Sequence, residues 1–132
     1  GRVDEAITIL EQVVADRERL LGDNHPDTLT SRANLALSYW QAGRTDEAIT
    51  IEERVLADRE RLLGDNHPNT LTARSNLAIS YRQAGRVDEA ITILEQVVAD
   101  RERLLGDNHP NTLTARSNLE YARRSVGKDP AG

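Results

Sequence analysis

The chain of 132 residues contains no cysteine, no methionine and no phenylalanine, and aromatic residues make up only 3% of it. The lack of cysteine excludes disulfides, thiol nucleophiles and zinc–thiolate sites. So few aromatics require an aliphatic core of Leu, Ile, Val and Ala. No apolar run approaches the roughly 18 residues that a membrane span needs, and there is no signal-peptide pattern, so a soluble protein with no membrane association is expected. Methionine is missing even from position 1, and the chain reads as an excised piece of something longer or a processed product. Basic residues are the minority, 17 against 22 acidic, for a net charge of −5. That argues against nucleic acid, whose affinity comes largely from neutralised phosphates. What is present, 38% hydrophobic and 30% charged residues, is the composition of a globular chain.

The main positive feature is internal repetition. Gly1-Arg2-Val3-Asp4-Glu5-Ala6 returns as Gly43-Arg44-Thr45-Asp46-Glu47-Ala48 and as Gly85-Arg86-Val87-Asp88-Glu89-Ala90. Leu21-Gly22-Asp23-Asn24-His25-Pro26 returns unchanged at 63–68 and 105–110. The period gives three segments, 1–42, 43–84 and 85–126, followed by a short tail, 127–132, expected to be unstructured. Each segment holds two helical patterns. In the first segment one runs from about Val3 to Leu21, with Ala6, Ile7, Leu10, Val13 and Val14 at helical spacing. Gly22 is expected to end it in a left-handed conformation. Pro26 then suits the first turn of a second helix, which runs to about Ala42. Such a hairpin cannot bury its apolar face alone and must stack on its neighbours. The fold class is therefore all-α, a helical-repeat solenoid of six antiparallel helices.

Asn34-Leu35-Ala36, Tyr39, Gly43 and Glu47-Ala48 resemble the tetratricopeptide repeat (TPR), which has Leu and a small residue, then Tyr, then Gly, then Glu-Ala. The 42-residue period and the His-Pro-Asp/Asn-Thr-Leu start are similar to the longer subclass found in kinesin light chains and in many bacterial proteins. The resemblance covers essentially the whole chain. It implies a right-handed superhelix in the order B-A-B-A-B-A, the A helices beginning at His-Pro and lining a concave face. It also implies a protein-interaction scaffold without catalysis or cofactor, from a bacterial cytoplasmic protein. The alternative is a structural spacer or self-associating array with no specific ligand in this segment.

On the A helices, Asn34, Asn76 and Asn118 match an Asn that in this family often hydrogen-bonds a bound peptide's backbone; the amide both donates and accepts. The other reading is a bridge to the neighbouring helix. Arg32, Arg74 and Arg116 form a ladder, joined by Arg82 and Arg124. Facing a groove, they would favour an acidic peptide or a C-terminal carboxylate; otherwise they pair with Asp16, Glu18 and their copies. Trp40, in the place of Arg82, reads as a binding anchor or as a cover for the apolar end of a helix. His25, His67 and His109 lie one repeat apart, too far for one metal ion, and a capping or packing role beside Pro is expected. Acid, base and nucleophile are not brought together anywhere, so no enzyme is expected. Glu52, which replaces the apolar residue of Leu10 and Leu94, should sit at or near the core and reach an Arg or a groove edge. The last A helix carries Glu120 and Arg123 where the others have Ala and Tyr, and reads as a cap. The first helix lacks an A partner, which leaves self-association through uncapped repeat ends as a second prospect.

Overall fold

The computed structural model of the chain describes residues 1–126, and the tail 127–132 lies outside the described residues. Six helices and no strand occupy the described part: α1 Arg2–Leu21, α2 Pro26–Gln41, α3 Thr45–Leu63, α4 Pro68–Gln83, α5 Val87–Leu105 and α6 Pro110–Val126. The fold class read from the sequence is the one observed, all-α and built of repeated helix pairs. No helix among the described residues is long and apolar enough to cross a membrane.

The helix limits follow from local chemistry. α1 and α3 each carry two acidic residues in the first turn, and Arg19 and Arg61 in their last turns, which complements the helix dipole at both ends. Gly22 stops α1 with φ 87° and ψ 166°. The positive φ was expected, but the ψ lies outside the left-handed helical well, in a region open essentially to glycine alone. The chain so redirected reaches His25, whose Nδ1 accepts the N–H of Asp27 at 3.0 Å. His67 and His109 repeat this bond with Asn69 and Asn111 at 3.0 Å each. The histidines are thus helix caps, satisfying a donor that the helix start leaves free. Thr28, fully buried, donates to the Gly22 carbonyl at 2.8 Å and ties the start of α2 to the end of α1.

The chain divides into two compact units, Gly1–Gly64 with α1 to α3 and Asp65–Gly132 with α4 to α6. Each therefore holds three helices rather than the two of a hairpin. In the first unit Ile7 and Val14 of α1, Leu35, Ala36 and Tyr39 of α2, and Ala48 of α3 form one core cluster. From Arg32–Glu18 to Tyr39–Glu11 the pairs climb α2 while descending α1, so the two helices are antiparallel. In the second unit Leu71, Leu77 and Ala78 of α4, Ala90, Leu94 and Val97 of α5, and Ala115, Leu119 and Ala122 of α6 are buried. These cores are aliphatic, as the composition demands. Glu52 is half-buried on α3, whereas Leu94 at the matching place on α5 is buried.

Candidate functional site

The arginine ladder is internal. Arg32 is only 3% exposed. Its guanidinium meets Glu18 at 2.5 Å, Asp23 at 3.0 Å and Asp58 at 3.6 Å. Arg74 pairs with Asp65 at 3.2 Å and Asp100 at 3.5 Å. Arg116 pairs with Glu102 and with Asp107, the latter at 3.3 Å. Asp58 and Asp100 are the copies of Asp16, so the pairing with Asp16, Glu18 and their copies is what the structure displays. A guanidinium already holding two or three carboxylates has little left for a ligand. Arg124 is likewise engaged, with Glu120 at 2.5 Å. Trp40 is half-buried and packs against the core cluster of the first unit. Its indole nitrogen is buried with no hydrogen-bond partner among the described residues. It covers core rather than standing out as an anchor. Asn34 is exposed on α2.

Two of the three predicted asparagines come together in the second unit. Asn76 on α4 and Asn118 on α6 line a groove of about 430 Å³ over α5, together with Thr72, Ser75, Asn111 and Thr114. Ile79 and Asn118 also border an adjoining recess of about 320 Å³, completed by Arg82, Leu94, Ser117 and Tyr121. The recess is the apolar part. Leu94 forms its floor, and the Arg82 guanidinium lies over the Tyr121 ring at 4.4 Å, close enough for a cation–π contact. None of the residues lining either part is acidic.

The residue that sequence reasoning missed is Arg101, on α5 at the groove wall. Its side chain is 7% exposed, yet no carboxylate among the described residues lies within ion-pairing distance. Burial with no compensating charge holds its pKa below the ordinary arginine value. A buried guanidinium normally has a partner, because desolvation is costly. The first segment supplies one: Arg17, the matching residue, reaches the Asp27 carboxylate at 3.8 Å and the Asp27 carbonyl at 3.5 Å. At the place of Asp27 the third segment has Asn111, which lines the same groove as Arg101. The second segment shows the same exchange, Arg59 with Asn69, so an unchanged arginine beside a lost acid is a sequence signal shared by both positions. The groove thus offers an unneutralised buried cation, three amides and several hydroxyls, next to an apolar recess roofed by a second arginine. Chemically that set is suited to an anion and to extended backbone, and its lining residues include no nucleophile–base pair.

Residues 1–61 and 70–111 match the family profiles of the tetratricopeptide repeat. Two crystal structures of a putative kinesin light chain of Podosopora anserina, with nearly identical TPR-like repeats, are each 37% identical to the chain. They superpose with TM-scores of 0.86 and 0.84 over 98% of it. The chain spans 61% of their length. BtubC (BKLC) from P. vanneervenii, 23% identical, superposes with a TM-score of 0.85 over 96% of the chain and 51% of its own length, a likeness of fold alone. No curated protein matches. With two repeat profiles along the chain and this fold throughout, the chain belongs to the tetratricopeptide-repeat family.

Proposed function

We propose that the chain is a protein-interaction module whose second unit binds an extended, acidic segment of a partner protein in the groove between α4 and α6. The observation that carries this reading is Arg101, a nearly buried guanidinium with no counter-ion among the described residues, on the wall of an open groove. A ligand carboxylate supplies the missing charge, and a charge-assisted bond of this kind contributes about 1.5–3 kcal/mol. Asn76 and Asn118 grip the ligand's main chain from opposite sides, each able to donate and accept. The recess floored by Leu94 takes a neighbouring apolar side chain, with Arg82 beside it as a second cation. TPR proteins generally act by binding other proteins.

The test is fluorescence anisotropy with labelled peptides that contain an acidic residue next to an apolar one, alongside neutral versions of the same peptides. Acidic peptides should bind in preference, and binding should weaken with added salt. Arg101→Gln should weaken binding by about tenfold or more, and Asn76→Ala with Asn118→Ala should do so for acidic and neutral peptides alike. Equal binding of acidic and neutral peptides, or an Arg101→Gln variant with unchanged affinity, sinks the reading.

A further inference from the structure

The groove and the recess of the second unit form one trough, because Ile79 and Asn118 border both. The trough runs along the helices. It extends from Thr72 to Arg82 on α4, from Thr114 to Tyr121 on α6, and from Arg101 back to Leu94 on α5. Its two ends differ in chemistry. The floor is cationic at Arg101 and apolar at Leu94.

The distance between these ends is set by α5 alone. Leu94 and Arg101 are seven residues apart, nearly two full turns, so they share one face of that helix. At a rise of about 1.5 Å per residue, they stand about 10 Å apart along the axis. Burial holds both side chains in place, Leu94 being 2% and Arg101 7% exposed.

A ligand that uses both ends must present two side chains on one side of its backbone at that spacing. A β-strand turns every second residue the same way, which gives about 7 Å or about 13 Å. A polyproline II helix repeats every three residues with a rise of about 3.1 Å, so residues three apart face the same way at about 9 Å. Of the two, the polyproline II spacing fits α5. That conformation makes no internal hydrogen bonds and leaves its N–H and carbonyl groups free. The walls carry partners for them. Asn76 and Asn118 face the trough from opposite helices, and each amide donates and accepts. Ser75 and Thr114 add hydroxyls.

We infer that the second unit reads a polyproline II segment in which an acidic and an apolar residue stand three places apart, the acid on Arg101 and the apolar side chain over Leu94. This rests on the function proposed above and adds the ligand's conformation and register to it. The two ligand residues are neighbours in the trough but not in the ligand's sequence. Amides that both donate and accept set no chain direction, so either order fits.

The test is fluorescence anisotropy on the whole chain with labelled serine-based peptides carrying one aspartate and one leucine. The two are set one, two, three or four places apart, in both orders, with asparagine replacing aspartate in a control set. In the better order, the spacing of three should bind about tenfold tighter than the others, the contribution of one anchor. Proline at the two intervening places should keep or raise that affinity, because it preforms the bound conformation. Arg101→Gln should level the series. An acidic preference that ignores spacing, or that is strongest at any spacing but three, overturns the inference and leaves the proposed function standing. So does loss of binding when the two prolines are added, or an Arg101→Gln variant that still favours three. Equal binding of the aspartate and asparagine sets overturns both.

Discussion

Tyr39 donates its phenolic proton to Glu11 at 2.5 Å across the α1–α2 interface, and Arg123 holds Glu95, the copy of Glu11, at 3.0 Å from the place where the other short helices have tyrosine. The same acid is thus satisfied in two ways, by a buried neutral donor and by an exposed cation. The tyrosine version has a consequence in base. The hydrogen bond to Glu11 is the main cause, with burial second, that pushes the Tyr39 pKa up from 10.0 to about 12. A raised value means the folded state keeps the proton longer than the unfolded one. The stabilisation is complete below pH 10.0 and is lost as the pH rises towards about 12. Urea unfolding at a series of pH values across that window should show the wild type losing stability more steeply than Tyr39→Phe. Parallel curves would mean that Tyr39 does not hold its proton in this way.

The three ladder arginines are one residue type in three settings, and they should not cost the same to remove. Arg32 has a side chain 4% exposed and three carboxylates around it, whereas Arg116 is 38% exposed with two. Removing a buried cation strands its acids; removing an exposed one lets water replace it. Arg32→Met should lower stability by about 2–3 kcal/mol, and Arg116→Met by about 1 kcal/mol or less. Thermal melts of the two variants decide the matter, and equal losses would contradict this ranking.

Arg101 should behave in the opposite sense. Its charge is desolvated, with no carboxylate among the described residues to pair with, so it is held in place at a cost in stability rather than for a gain. Arg101→Met keeps the stem and removes the charge, and should leave the melting temperature unchanged or higher while abolishing the preference for acidic peptides. Asn111→Asp is the complementary change. It restores the acid that Arg17 has in Asp27, stabilises the chain slightly, and weakens acidic ligands by competing for the guanidinium. If both variants are destabilised and both still bind, Arg101 is part of the packing and not of a site.

The helices, their order and their limits were legible because each rests on signals a few residues long: Pro26 at a start, Gly22 at an end, an apolar stripe between. The histidine caps belong to the same class. The fate of the arginines was not legible. Arg32 and Arg101 look alike in a sequence. Whether either meets an acid depends on Asp23 and Asp58 in one case and on position 111 in the other, across helix pairs rather than along a helix. Trp40 was ambiguous for the same reason, since only the packing of α2 decides whether its indole covers the core. The pairing of Asn76 with Asn118 over α5 could be anticipated from their spacing, but the recess between Ile79, Leu94 and Tyr121 needed the fold.

The caps give the last prediction. His67 occupies the residue before Pro68 and accepts the N–H of Asn69 through Nδ1 at 3.0 Å, with its backbone extended at φ −70° and ψ 138°. Any side chain that places an acceptor at this distance should serve, because the backbone conformation is set by the proline that follows. His67→Asp should therefore keep the stability of α4 or raise it, since a carboxylate also favours the positive helix start. His67→Ala loses the acceptor and should cost about 1 kcal/mol. Urea denaturation of the two variants separates the cases. If alanine proves harmless, water satisfies that N–H, and the histidine at this place is kept for some reason other than capping.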